Sequence, residues 1–146
     1  MTAMEAAEQS QLESWILTYL EGPANNRPFA DGWRREQRYW HGPLELHLRA
    51  LTRVCGPEPE MAYQVTLDAW RNHTSKIARS FRSLTDFPPL IVEYTDDKLL
   101  ISDGNHRHHV FNTLGLEMCW VILWYPTVDD YEAHQRINFS VAHYMA

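Results

Sequence analysis

Apolar side chains near the start of the chain recur at the spacing of one helix face. The stripe consists of Leu12, Trp15, Ile16, Tyr19 and Leu20. These are positions i, i+3, i+4, i+7 and i+8 of a helix. The pattern predicts an amphipathic helix over residues 4–20 that packs either on the core or on a partner. Several Pro and Gly residues after this helix predict an irregular segment over 22–42.

Alternation and continuous apolar runs predict the strands. Leucines alternate with polar residues over 44–48. Two apolar runs, 90–94 and 99–102, flank a polar turn at 95–98 and predict a β-hairpin. The uninterrupted apolar run 118–125 predicts a central strand that is buried on both faces.

Capping signals predict two more helices. Thr66 is a suitable N-cap for a helix that runs to about Leu84. Thr127, with an acid three residues later, precedes a helix from Tyr131 towards Tyr144. With one further helix after the hairpin, the order is helix, strand, helix, hairpin, helix, strand, helix. This order predicts an α+β fold with a small mixed β-sheet flanked by helices.

Length, composition and charge narrow the class of protein. The chain has 146 residues, 45% of them apolar, and a formal net charge of −6. We expect a single domain over 1–146, in which 1–42 form an N-terminal helix and an irregular extension. The negative charge argues against a dedicated nucleic-acid binder. With no long apolar run, no signal-peptide pattern and two widely spaced cysteines, we expect a cytoplasmic protein without a membrane segment.

The stretch 103–107, Asp-Gly-Asn-His-Arg, joins the second hairpin strand to a helix and is the main candidate for chemistry. At such a turn the first backbone N–H groups of the helix have no intrahelical partner, and the helix dipole adds positive charge. His106 and Arg107 fall in the first turn, which favours binding of a phosphate or another anion. The alternative is an ordinary strand-to-helix turn with solvated side chains.

The same turn, followed by a Gly and then a Trp/Val/Ile-rich strand, resembles the ParB/sulfiredoxin-like superfamily over about residues 43–132. That superfamily includes the ParB N-terminal domain, sulfiredoxin and the free serine kinases. Asn105 stands where sulfiredoxin-type catalysis needs a Cys, which argues against that activity. No helix-turn-helix follows, which argues against chromosome partitioning. The Asp-Gly-x-x-Arg pattern is nearest to the free serine kinases.

The resemblance implies a bound nucleoside triphosphate, ATP or CTP, with Mg²⁺. The implied phosphate-binding residues are Gly104, Asn105, His106 and Arg107. The implied catalytic residues are Asp103, His106 and, as general base on the loop 55–61, Glu60 or Glu58. For Asp103 a turn-forming role remains the alternative, and for the glutamates a solvated loop position does.

Neighbouring basic residues leave other interpretations open. His106 and His109 share a helix face while His108 points away, so a protein-ligated transition metal is not predicted. The Arg- and aromatic-rich stretch 31–40 either stacks on a base or covers the core. The basic side chains of the helix that Thr66 starts either face solvent or a phosphate.

Together these features predict an Mg²⁺-dependent phosphotransferase or nucleotide hydrolase, with a small hydroxyl compound as the acceptor. A non-catalytic nucleotide-sensing or protein-interaction module is the alternative. A nuclease is less favoured, because of the net charge of −6 and because no multi-carboxylate cluster is evident. The sequence disfavours nucleic acid as a partner but does not exclude it.

Overall fold

The computed structural model describes residues 1–35 and 38–136. Its helices are α1 (Ala3–Glu8), α2 (Leu12–Glu21), α3 (Arg27–Arg35), α4 (Leu67–Ser80), α5 (Asn105–Thr113) and α6 (Val128–Arg136). Its strands are β1 (Tyr39–His47), β2 (Cys55–Gly56), β3 (Tyr63–Gln64), β4 (Leu90–Thr95), β5 (Lys98–Asp103) and β6 (Met118–Tyr125). No helix in these described ranges has the length and apolar character needed to cross a membrane.

Four strands form a mixed sheet in the order β1-β6-β4-β5. β6 pairs antiparallel with β1 and parallel with β4, and β4 pairs antiparallel with β5. The short strands β2 and β3 pair with each other in parallel as a separate element. β2 lies within the predicted loop 55–61, and β3 follows that loop. The prediction of an α+β fold with a small mixed sheet flanked by helices is confirmed.

Alternation along β6 divides the apolar core into two layers. Val121, Leu123 and Tyr125 face the layer that includes Phe111 of α5. Ile122 and Trp124 face the opposite layer, which α1, α2 and α3 supply. The members from those helices are Ala3, Leu12, Ile16, Leu20, Ala30 and Trp33. β6 is therefore a central strand buried on both faces, as predicted, and the N-terminal helices pack on the sheet of their own chain.

The N-terminal region is more helical than the sequence pattern indicated. The expected helix over 4–20 is interrupted at Ser10, whose φ of 59° separates α1 from α2. The stretch 22–42, expected to be irregular, contains α3 and the start of β1. Pro28 lies in the first turn of α3, where a missing N–H is tolerated. Burial of Ala30 and Trp33 then stabilises the helix despite its glycine.

The predicted caps are present, although element ends differ. The Thr66 hydroxyl accepts a hydrogen bond from the Ala69 N–H at 3.2 Å, but α4 ends four residues before Leu84. The Thr127 hydroxyl accepts from the Asp130 N–H at 3.1 Å and starts α6 at Val128. The predicted continuation to Tyr144 lies outside the described residues.

The predicted hairpin is β4–β5, and its turn has the backbone of a type I′ turn. Asp96 and Asp97 have φ values of 50° and 60°, which the twist of a two-residue hairpin requires. β5 would be a free sheet edge, but Thr52 pairs with Leu100 in a parallel bridge and covers part of it.

Candidate functional site

The chain passes from β5 into α5 through Gly104, a position that only glycine fits. Its φ is +113°, and a Cβ there would lie 2.4 Å from Leu90 Cδ2. The His108 N–H donates to the Gly104 carbonyl at 2.8 Å, so the helical bonding of α5 begins there. The N–H groups of residues 105–107 therefore have no intrahelical acceptor.

A β-bulge turns the end of β5. Val92 pairs with Ile101 but Ile91 pairs with Asp103, so β5 has one extra residue, Ser102, at this point. A regular strand that kept Ser102 without the bulge would turn Asp103, like Leu99 and Ile101, into the apolar layer beneath α5. The bulge places Asp103 opposite Ile91, on the side of the N-terminal helices, where Tyr19 of α2 meets it.

Asp103, Arg107 and Tyr19 form a connected polar cluster. Arg107 Nη2 donates to Asp103 Oδ2 at 2.8 Å, and the Tyr19 hydroxyl donates to the same oxygen at 3.1 Å. Arg107 Nη1 donates to the Pro88 carbonyl. Burial raises the pKa of Tyr19 to about 12; the Arg107 charge opposes this shift and the Asp103 carboxylate adds to it. Arg107 lies at the predicted turn, but its guanidinium is directed at protein acceptors and braces the turn.

Asn105 connects the turn to the loop before β2. Its Oδ1 accepts hydrogen bonds from the Val54 and Cys55 N–H groups at 2.9 and 3.3 Å. Its Nδ2 donates to the Ile101 carbonyl at 3.3 Å. The side chain is buried and satisfied by the backbone, so Asn105 holds the loop against the start of α5.

His106 lies in a cluster of rings between α4 and α5. Its ring stacks on His73 at 4.0 Å and lies 4.4 Å from the Trp70 ring. The Arg53 guanidinium lies 4.9 Å from the Trp70 ring, and Arg53 also pairs with Glu58. Burial, with the neighbouring His73 and Arg53, lowers the pKa of His106 to about 4. The imidazole is therefore neutral near pH 7.

The other two histidines of α5 lie where their spacing predicted. His109 contacts Trp70 on the same face as His106, with ring centroids 5.4 Å apart. His108 points away, and its Nε2 lies 2.9 Å from the Leu48 carbonyl oxygen. Within residues 1–35 and 38–136, no three His, Cys, Asp or Glu side chains are grouped to hold a metal ion.

The N-terminus of α5 opens into a cavity of about 860 Å³. Gly104, Asn105 and His106 line one end of it. The cavity extends over the sheet face that α3 also covers. A further part of its wall comes from residues in and beside β2 and β3, namely Val54, Cys55, Ala62 and Tyr63. Lining residues from the sheet and α3 are Pro28, Phe29, Glu93, Leu100, Ile101, Ser102, Asp103 and Trp124. It thus combines a helix N-terminus with an aromatic wall.

The predicted general bases lie elsewhere. Glu60 is exposed and is outside the set of residues that line the cavity. Glu58 pairs with Arg53, whose hydrogen bonds lower the pKa of its carboxyl. Sequence reasoning missed Glu93, which lines the cavity. Its signal was available, because Glu93 is the one charged residue in the apolar run 90–94.

Comparisons with known proteins give no relative for this chain: it matches no family model, no curated protein and no solved structure.

Proposed function

We propose that this protein binds a nucleoside triphosphate in the 860 Å³ cavity, with the phosphates at the N-terminus of α5. The observation that carries the proposal is that this helix N-terminus opens into a cavity with an aromatic wall. In the same proposal, the chain has a ParB/sulfiredoxin-like fold, whose Gly-containing turn holds phosphates. ATP and CTP are the nucleotides that this resemblance implies.

Two properties of the cavity support a nucleotide. Its volume lies within the range of about 300–1,000 Å³ that is usual for small-molecule sites. At one end, free N–H groups and a glycine allow close approach of an anion. Away from that end, Phe29 contacts Trp124 with ring centroids 5.5 Å apart. An aromatic surface of this kind favours stacking with a planar base.

The contacts of Asp103 and Arg107 change the roles expected for them. Arg107 contributes to the site by fixing the turn, since both of its Nη atoms bond to protein oxygens. Asp103 fits Mg²⁺ held mainly by phosphates, because the bonds from Arg107 and Tyr19 both fall on Oδ2. Bound there, Mg²⁺ would neutralise phosphate charge during transfer to water or to a small hydroxyl acceptor.

A non-catalytic nucleotide sensor is the second candidate, and a specific observation favours it. Asp103 and Arg107 bond to each other, and Glu60 lies outside the cavity. Of the side chains expected to act on the phosphates, these three are therefore bonded within the protein or lie outside the cavity. Ligand binding would then change the position of the loop before β2, which Asn105 holds against α5.

Binding is tested by thermal unfolding with Mg²⁺ and each nucleoside triphosphate. A ligand at about a hundred times its Kd adds about 2.7 kcal/mol to the free energy of unfolding. His106→Glu places a negative charge beside the proposed phosphates, whereas His106→Gln is its neutral control. We expect the Glu variant to lose nucleotide stabilisation and the Gln variant to retain it. Equal stabilisation of both variants would place the ligand elsewhere.

Turnover is tested separately with the same protein. Phosphate release and transfer to serine and related hydroxyl compounds are followed with Mg²⁺, in wild type and in Asp103→Asn. Turnover that disappears in Asp103→Asn supports the phosphotransferase or hydrolase. Binding without turnover in the wild type supports the sensor.

A further inference from the structure

Glu93 is a carboxylate on the sheet face that forms the floor of the cavity. It lies in β4, an inner strand, where it pairs with Leu100 of β5 on one side and Trp124 of β6 on the other. All three residues line the cavity. The floor therefore presents one acidic group between an aliphatic and an aromatic side chain.

This carboxylate has no hydrogen-bond donor among the described residues, although it is half-buried. Burial raises its pKa, the nearby Arg38 opposes that shift, and Asp130 adds to it. Its oxygens are not among the buried side-chain atoms that lack a partner, so solvent reaches them. A ligand that brings N–H donors to the floor of the cavity would replace this solvent and hydrogen-bond to the carboxylate.

The position of Glu93 relative to α5 matches the length of a nucleoside. Its β5 neighbour Leu100 precedes Gly104 by four residues, which corresponds to about 13 Å along a strand. A ligand with its phosphate at Gly104 can thus extend along β5 and bring the far edge of its base to Glu93. On this path the base passes Trp124, over which the Arg38 guanidinium lies at 5.0 Å.

We infer that Glu93 selects bases that carry an exocyclic amino group, as adenine and cytosine do. An ionised carboxylate only accepts hydrogen bonds, so it binds an amino group and repels a carbonyl oxygen at the same position. This inference rests on the proposed nucleotide site and adds which edge of the base is recognised. It assigns to Glu93 a role in specificity.

Two pairs of nucleotides, ATP with ITP and CTP with UTP, replace this amino group by a carbonyl oxygen, with a proton added at the neighbouring ring nitrogen. We expect wild-type protein to bind the amino member of the tighter-binding pair about tenfold to a hundredfold more tightly, as one hydrogen bond to a charged group allows. In Glu93→Gln the preference should fall below about threefold, because an amide both donates and accepts. Glu117→Gln, an exposed change outside the cavity, is the matched control and should keep it.

The outcomes separate this inference from the proposal beneath it. If neither pair binds to wild-type protein, the nucleotide site itself is wrong. If nucleotides bind without an amino preference, or if Glu93→Gln keeps the wild-type preference, the nucleotide site stands and the role of Glu93 is wrong. Loss of the preference in Glu93→Gln alone, with the Glu117→Gln control unchanged, supports it.

Discussion

Arg107 and Asp103 are four residues apart, and Arg107 Nη2 lies 2.8 Å from Asp103 Oδ2 across the first turn of α5. Their side chains are only 9% and 14% exposed. The pair connects three elements, because Tyr19 of α2 donates to the same Asp103 oxygen and Arg107 also bonds to the Pro88 carbonyl before β4. The turn that the sequence predicts to be a phosphate site thus also holds α2, α5 and the segment before β4 together.

Arg107→Ala should destabilise the protein by about 3 kcal/mol, because it leaves a largely buried carboxylate without its cation. Asp103→Ala should have a similar effect for the reciprocal reason. The double variant should lose about 1–3 kcal/mol less unfolding free energy than the sum of the two single losses. Urea unfolding of the four proteins measures this coupling. Strictly additive losses would mean that the two side chains do not interact in solution.

Gly104→Ala should destabilise the protein by about 3 kcal/mol, since it adds a Cβ clash to an unfavourable positive φ. Gly115 provides the matched control. Its φ is +79°, but a Cβ there would meet nothing within 4 Å, so Gly115→Ala should lose only about 1 kcal/mol. Both values come from urea unfolding. Similar losses in the two variants would argue against the close contact with Leu90.

Asn105→Ala should release the loop before β2, because Oδ1 is the acceptor for the Val54 and Cys55 N–H groups. Hydrogen exchange at these two amides should accelerate, and the free energy of unfolding should fall by about 2 kcal/mol. Asn105→Asp keeps the acceptor and should preserve more of the protection. Unchanged exchange in the Ala variant would show that another group holds the loop.

Stability should decline in acid because of His106. Its pKa in the folded protein is about 4, below its value of 6.5 in the unfolded chain. Between these values the unfolded chain binds more protons, so stability is complete above about pH 6.5 and falls towards pH 4. His106→Gln should make this decline shallower, as followed by urea midpoints across that range. The remaining slope belongs partly to His108 and His109, whose pKa values are also lowered by burial.

The sequence predicts much of the sheet because its signals there are local. Two adjacent apolar runs with Asp96 and Asp97 between them determine a hairpin, whatever surrounds them. The continuous run 118–125 has no polar side, so it must be buried on both faces. The N-terminal region was harder, because α3 exists through burial of Ala30 and Trp33 against the sheet, a tertiary effect that overrides local breakers.

Within the site, the sequence located the turn but not the partners of its side chains. Arg107 and Asn105 carry the N–H donors that a phosphate site needs, but the polar groups of these side chains can equally satisfy a buried carboxylate or a loop backbone. Which of these occurs depends on Tyr19, Pro88 and Val54, which are distant along the chain. Glu93 is the one charged residue in the run 90–94, but a single acid in a strand matches no motif, and only the structure places it beside the cavity.

The bulge at Ser102 lets β5 hold one extra residue without changing the face on which Asp103 lies. Deleting Ser102 would place Asp103 directly after Ile101, so regular alternation would still set it opposite Ile91, on the side of Tyr19. What the deletion would remove is the Oγ that accepts a hydrogen bond from Trp124 Nε1 at 2.8 Å. Straightening the strand while keeping Ser102 would instead turn Asp103 towards the apolar layer under Phe111. The backbone conformation of the bulge, and not the length of β5, therefore keeps this carboxylate out of the core.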